Sequence, residues 1–132
     1  MRVRARRRTG RVEPVTTDSP LRSRLRRALL EARRARDAET VSTLRTALAA
    51  LENAEAVPAE ATAGALEDAP IGVGATEAPR RVLSDADEVA VLDAEIASLR
   101  EAGRAYACSV PERAAAARQA AGRLSRLRDE QD

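Results

Sequence analysis

Two carboxylate pairs, Asp85/Asp87 and Glu52/Glu55, are the residues whose type and spacing could support acid–base chemistry in this chain of 132 residues. Asp85 and Asp87 fall in the first turn of a predicted helix, where carboxylates meet the positive helix end, and Glu52 and Glu55 fall on a charged helix face. Capping and solvation account for both pairs, so neither is assigned a catalytic role. Cys108 is the single cysteine and histidine is absent, which excludes a disulfide framework, an ordinary zinc site and a histidine-based triad within one chain. Ile71-Gly72-Val73-Gly74 is the only glycine pair with a phosphate-loop look. It lacks a third glycine, a preceding strand and a following Lys-Ser/Thr, and reads as a turn. No catalytic centre, metal site, cofactor or small-molecule substrate follows from these residues.

Arginine is the other chemistry-bearing residue. All 23 basic residues are Arg, which points to coding bias as well as guanidinium chemistry. The net charge of +2 hides an asymmetry of +10 over residues 1–36 and −8 over residues 37–132. Such a basic segment attracts phosphate backbones, an anionic surface, or the acidic half of the same or a second copy. Arg22, Arg26, Arg33 and Arg36 share one helix face and form the candidate anion-binding row.

The elements that must position them are helical. Asp18 or Ser19 can cap a first helix that begins near Pro20, and Leu21, Leu25, Ala28, Leu29 and Ala32 line its packing face. Asp37 can cap a second helix, in which Val41, Leu44, Leu48 and Leu51 form a 3-4-3 seam. A turn this short predicts an antiparallel helical hairpin over 20–56. A third helix is predicted over 84–107, capped by Ser84, with a seam of Val89, Leu92, Ile96, Leu99, Gly103 and Tyr106. Its glycine marks a place where another helix can approach closely. Ser109-Val110-Pro111 then opens a fourth helix over 111–128 with a weaker stripe of Arg113, Ala117, Ala120, Leu124 and Leu127. The fold class is all-α, a four-helix module.

Residues 1–17 combine clustered arginine with Gly10 and Pro14 and read as a disordered arm: RNA-binding, a dispensable leader or an overextended start. At about 57–80 an acidic Gly/Pro/Ala-rich linker interrupts the periodicity, so the helical domain spans 18–130. Phe and Trp are absent, Tyr106 is the only aromatic residue, and alanine dominates the apolar fraction. A thin core is expected, and with it marginal stability or a partner covering one face. No apolar run is long enough to span a membrane and the basic start lacks the apolar region of a secretory signal. A cytoplasmic protein is expected.

Three segments carry a family resemblance: ARDAETVSTLRTALAALENAEAV, IGVGATEAPRRVLSDADEVAVLDAEI, and the Tyr106–Leu127 region with PERAAAARQAAGRL. The most specific pieces are Leu44-Arg45 followed by Asn53-Ala54-Glu55, and Arg81-Val82-Leu83-Ser84-Asp85. Over about residues 20–127 the chain resembles the YqeY-like family, related to the tail domain of the GatB subunit of tRNA-dependent amidotransferases. The resemblance implies an all-helical fold and kinship with a module that engages tRNA. It implies no active site, since the amidation chemistry resides in other domains and another subunit; a carbon–nitrogen ligase label with glutamine as nitrogen donor would be inherited by name. Longer members continue into a second small helical domain, which this chain is expected to lack because it stops after Leu127-Arg128-Asp129-Glu130-Gln131-Asp132.

Three classes remain: a non-catalytic accessory module binding tRNA or another structured RNA, an amidotransferase accessory or enzyme, and a protein-interaction or self-association module without an RNA ligand. The first would use phosphate contacts and shape, with Arg22, Arg26, Arg33, Arg36 and Arg45 as candidate contacts. Asn53 and Glu55 form a candidate surface site, set against helix-end capping and solvation.

Overall fold

The computed structural model describes residues 18–56 and 81–131, and these are all-α. Four helices follow in order: α1 (Pro20–Arg34), α2 (Ala38–Ala56), α3 (Asp85–Tyr106) and α4 (Pro111–Asp129). The expected boundaries hold to within about two residues. The expected arm at 1–17 and linker at 57–80 lie outside the described residues.

Each start is set by a side chain or a proline. Ser19 caps α1, its Oγ accepting the Arg22 amide at 3.1 Å, and Pro20 occupies the first helical position where a missing N–H is harmless. Ser84 and Asp87 form a reciprocal capping box on α3. The Asp87 amide donates to Ser84 Oγ at 3.0 Å and the Ser84 amide to Asp87 Oδ2 at 3.1 Å. The α1–α2 connection takes only residues 35–37. Arg36 adopts φ 59°, which lets its amide reach Arg33 O at 3.0 Å and the Asp37 amide reach Ala32 O at 2.9 Å. Asp37 immediately caps α2, accepting the Thr40 amide on Oδ1 at 3.1 Å and the Thr40 hydroxyl on Oδ2 at 2.6 Å. One motif therefore ends α1 at Arg34 and starts α2.

α3 and α4 run antiparallel. A Cβ built on Gly103 would lie 3.1 Å from Arg118 Cγ and 3.6 Å from the Ala114 carbonyl, while Asp93 accepts from Arg128 Nη1 at 2.6 Å at the other end. The close approach expected at Gly103 is met by α4. Every helix contributes to the core, whose largest fully buried side chains are Leu25, Leu44, Leu51, Leu92, Ile96 and Leu124. Leu21, Ala32, Ala47, Leu48 and Ala121 complete it. No ring enters this core.

Two seams differ from expectation. In α4 the buried residues are Ala114, Ala120, Ala121 and Leu124, and Arg113 is exposed. The run Ala114–Ala117 offers no contrast between faces, and the Arg113 guanidinium sits 5.3 Å from the centre of the Tyr106 ring instead. In α3, Val89 is turned outward and Glu88 is buried. The reason lies in an arginine of α1.

Candidate functional site

The arginines of α1 separate into groups of different fate. Arg22 and Arg24 are buried, which removes Arg22 from the expected cationic row and corrects that assignment. Arg22 Nη2 donates to Glu55 Oε2 at 2.6 Å and its Nε to Glu88 Oε2 at 2.8 Å, so one guanidinium joins α1 to α2 and α3. Burial opposes its charge, but the hydrogen bond it donates to Glu88 and the charges of Glu55 and Glu88 outweigh that and hold its proton above the ordinary arginine range. Glu88 Oε1 is buried with no hydrogen-bond partner among the described residues. Arg24 works elsewhere: its Nε donates to Leu127 O at 2.9 Å and its Nη2 to Arg128 O at 3.5 Å, satisfying carbonyls at the end of α4.

Arg26 is half exposed and pairs with Asp18 Oδ2 at 2.7 Å. Arg33, Arg36 and Arg45 come together. They line an open depression of about 660 Å³ beside the α1–α2 turn, with Ala38, Val41, Ser42 and Thr46 forming the rest of its wall. All three arginines are exposed, and none is ion-paired among the described residues. The αL geometry of Arg36 and the antiparallel hairpin are what bring a residue of α2 beside one from the last turn of α1 and one from the connection. Three arginines and two hydroxyl-bearing residues border a wall that is otherwise mostly apolar, and the arginines suit oxyanions such as phosphate. It contains no aromatic side chain on which a base could stack.

The remaining candidates do not gather. Asn53 is exposed, whereas Glu55 is drawn inward to Arg22, so the two do not share a surface, as expected for residues two apart on a helix. Asp87 is occupied by the capping box, and the amide and hydroxyl of Ser84 hold its carboxyl below the ordinary value. Asp85 and Glu52 are exposed, and Cys108 lies exposed just beyond the end of α3. Among the described residues no group of three or more Cys, Asp or Glu could hold a metal ion, and no helix is long and apolar enough to cross a membrane. A second depression of about 800 Å³ lies between the α1–α2 hairpin and α4, but its rim carries Glu31, Asp37, Asp129 and Glu130 beside Arg123 and Arg126. Its acids outnumber its arginines, so it does not suit an anion.

Reasoning from sequence missed two further arginines, Arg27 and Arg34. Both are exposed on α1 and, like Arg33 and Arg36, stand without an ion pair among the described residues. The signal was present as two Arg-Arg doublets seven residues apart, Arg26-Arg27 and Arg33-Arg34. The chain matches no protein-family model, no curated protein and no solved structure.

Proposed function

We propose that this chain is a non-catalytic helical accessory module of the cytoplasm that binds tRNA or another structured RNA by its phosphate backbone. Its kinship, on this reading, is with YqeY-like proteins and the GatB tail domain. The observation that carries the proposal is the convergence of Arg33, Arg36 and Arg45 on one open depression, each exposed and without an acidic partner among the described residues. Three exposed arginines bordering one depression favour a polyanion over a neutral partner. Support also comes from the four-helix, all-α arrangement and from the lack of aromatic residues at the depression, which favours backbone contacts over base stacking.

The test is tRNA binding by fluorescence anisotropy across a salt series. Wild-type affinity is expected to fall steeply with salt as counterions are released, and Arg33→Glu/Arg45→Glu is expected to weaken binding at least about tenfold at low ionic strength. Both residues are exposed, so the helical circular dichroism should be preserved. Absence of salt-sensitive tRNA binding, or a double variant that binds as well as wild type, would turn the reading to a protein-interaction or self-association module.

A further inference from the structure

The exposed face of α1 carries arginines on both flanks of a crest. Arg26 and Arg33 lie seven residues apart on one flank, Arg27 and Arg34 seven apart on the other, and exposed Ser23 and Leu30 occupy the ridge between them. Two turns of helix separate the members of each row by about 10 Å, and a 100° step around a helix with side chains places the rows about 9 Å apart. The surface is thus a rough square of four guanidinium groups, not a line. Asp18, on Arg26, is the only acid paired with this square among the described residues. Glu31, the only acid of α1, lies beyond the Arg27–Arg34 row and outside the square.

A single strand is followed by one row of cations, helped by aromatic rings that stack its bases. Here there are two rows, and the only aromatic ring of the chain, Tyr106, is at the far end of α3 under Arg113. We infer that the RNA bound is double-helical, its two phosphate strands taken by the Arg26–Arg33 and Arg27–Arg34 rows on either flank of α1. The inference rests on the RNA reading above and narrows it. With its other face buried in the bundle, α1 offers a low ridge flanked by arginines, a shape suited to a wide, shallow surface. The wide, shallow minor groove of A-form RNA is such a surface, and it presents 2′-hydroxyls at the crest, where the Ser23 hydroxyl can donate or accept. The minor groove of B-form DNA, about 6 Å wide, is narrower than the separation of the rows.

The experiment compares a paired RNA of about 16 base pairs, each of its strands alone, and DNA duplex of the same sequence, by anisotropy at about 0.1 M salt. The RNA duplex is expected to bind at least about tenfold tighter than either strand or the DNA. Arg27→Glu/Arg34→Glu should weaken duplex binding much more than single-strand binding, removing the preference for duplex, and flatten the duplex salt slope by about two. Arg27→Gln/Arg34→Gln, which adds no negative charge, should have the same direction with a smaller loss. Equal binding of strands and RNA duplex, or a duplex affinity indifferent to both variants, overturns the double-helix inference and leaves the proposed function standing. DNA bound as tightly as RNA overturns the choice of A-form. Loss of all binding, to tRNA included, overturns both.

Discussion

Arg22 Nε donates to Glu88 Oε2 at 2.8 Å across 66 positions of sequence, and this contact compensates a carboxylate buried one turn before Leu92 on the inward face of α3. Val89, next to it, is turned toward solvent. Removing one member of a buried ion pair leaves an uncompensated charge, so Arg22→Ala is expected to cost about 3–5 kcal/mol in thermal or urea unfolding. Glu88→Gln keeps an acceptor for Arg22 and leaves Glu55 in place, and should cost distinctly less. Equal melting of Arg22→Ala and wild type would show that the network contributes nothing to stability.

Arg36 holds φ 59° at a position where glycine is the usual residue. A side chain there carries a local penalty of about 1 kcal/mol. Arg36→Gly is therefore expected to raise the melting temperature while weakening RNA binding, because one guanidinium leaves the depression. A variant that is both less stable and unchanged in binding would contradict the geometry and the function together.

Gly103 faces the stem of Arg118, with Cβ-to-Cγ space of 3.1 Å. Arg118 is exposed and free to shift by a few tenths of an ångström, and alanine is favoured over glycine in a helix interior by about 1 kcal/mol. Gly103→Ala should be neutral or stabilising by up to about 1 kcal/mol. Gly103→Leu should push α4 away from α3 and cost about 1–3 kcal/mol. Chemical denaturation of the pair reads the difference, and a tolerant Gly103→Leu would mean that the two helices do not pack closely here.

Acid should loosen the helix starts. The hydroxyl and amide of Thr40 hold the Asp37 carboxyl below its ordinary value of 3.8, and the amide and hydroxyl of Ser84 do the same for Asp87. A lowered folded-state value means that the folded chain binds fewer protons than the unfolded one. The associated stability is present above the ordinary value and is lost as pH falls through the folded values. Melting temperature is expected to be level from neutral pH to about 5 and to decline below about 4. Asp37→Asn/Asp87→Asn should start lower at neutral pH and converge on wild type in acid; parallel curves would exclude these carboxylates as the titrating groups.

The helices were legible because their signals are local. Ser19-Pro20, Asp37 and Ser84 mark the starts of α1, α2 and α3, and the leucine spacing in α1 and α2 marks their inward faces. The face of α4 was not legible, since four consecutive alanines from 114 to 117 look alike from every side. The fate of Arg22 was hidden for a different reason. By spacing it belongs with Arg26 and Arg33, and only the approach of Glu55 and Glu88, one from α2 and one from α3, makes its burial tolerable. Arg33, Arg36 and Arg45 could be nominated from charge alone, but their convergence depends on the αL turn at Arg36, where the sequence shows no glycine to announce it.

The bonds from Arg24 to the carbonyls of Leu127 and Arg128 have a kinetic meaning. Leu127 lies 103 positions from Arg24, whereas α1 with α2 and α3 with α4 are each neighbours in the chain. Sequence-local hairpins are expected to form before such distant closure, which predicts that this clasp is made after the transition state. Arg24→Ala should then accelerate unfolding with little change in the refolding rate. The side chain acts as a latch on the finished bundle, setting how long it stays closed rather than how fast it assembles.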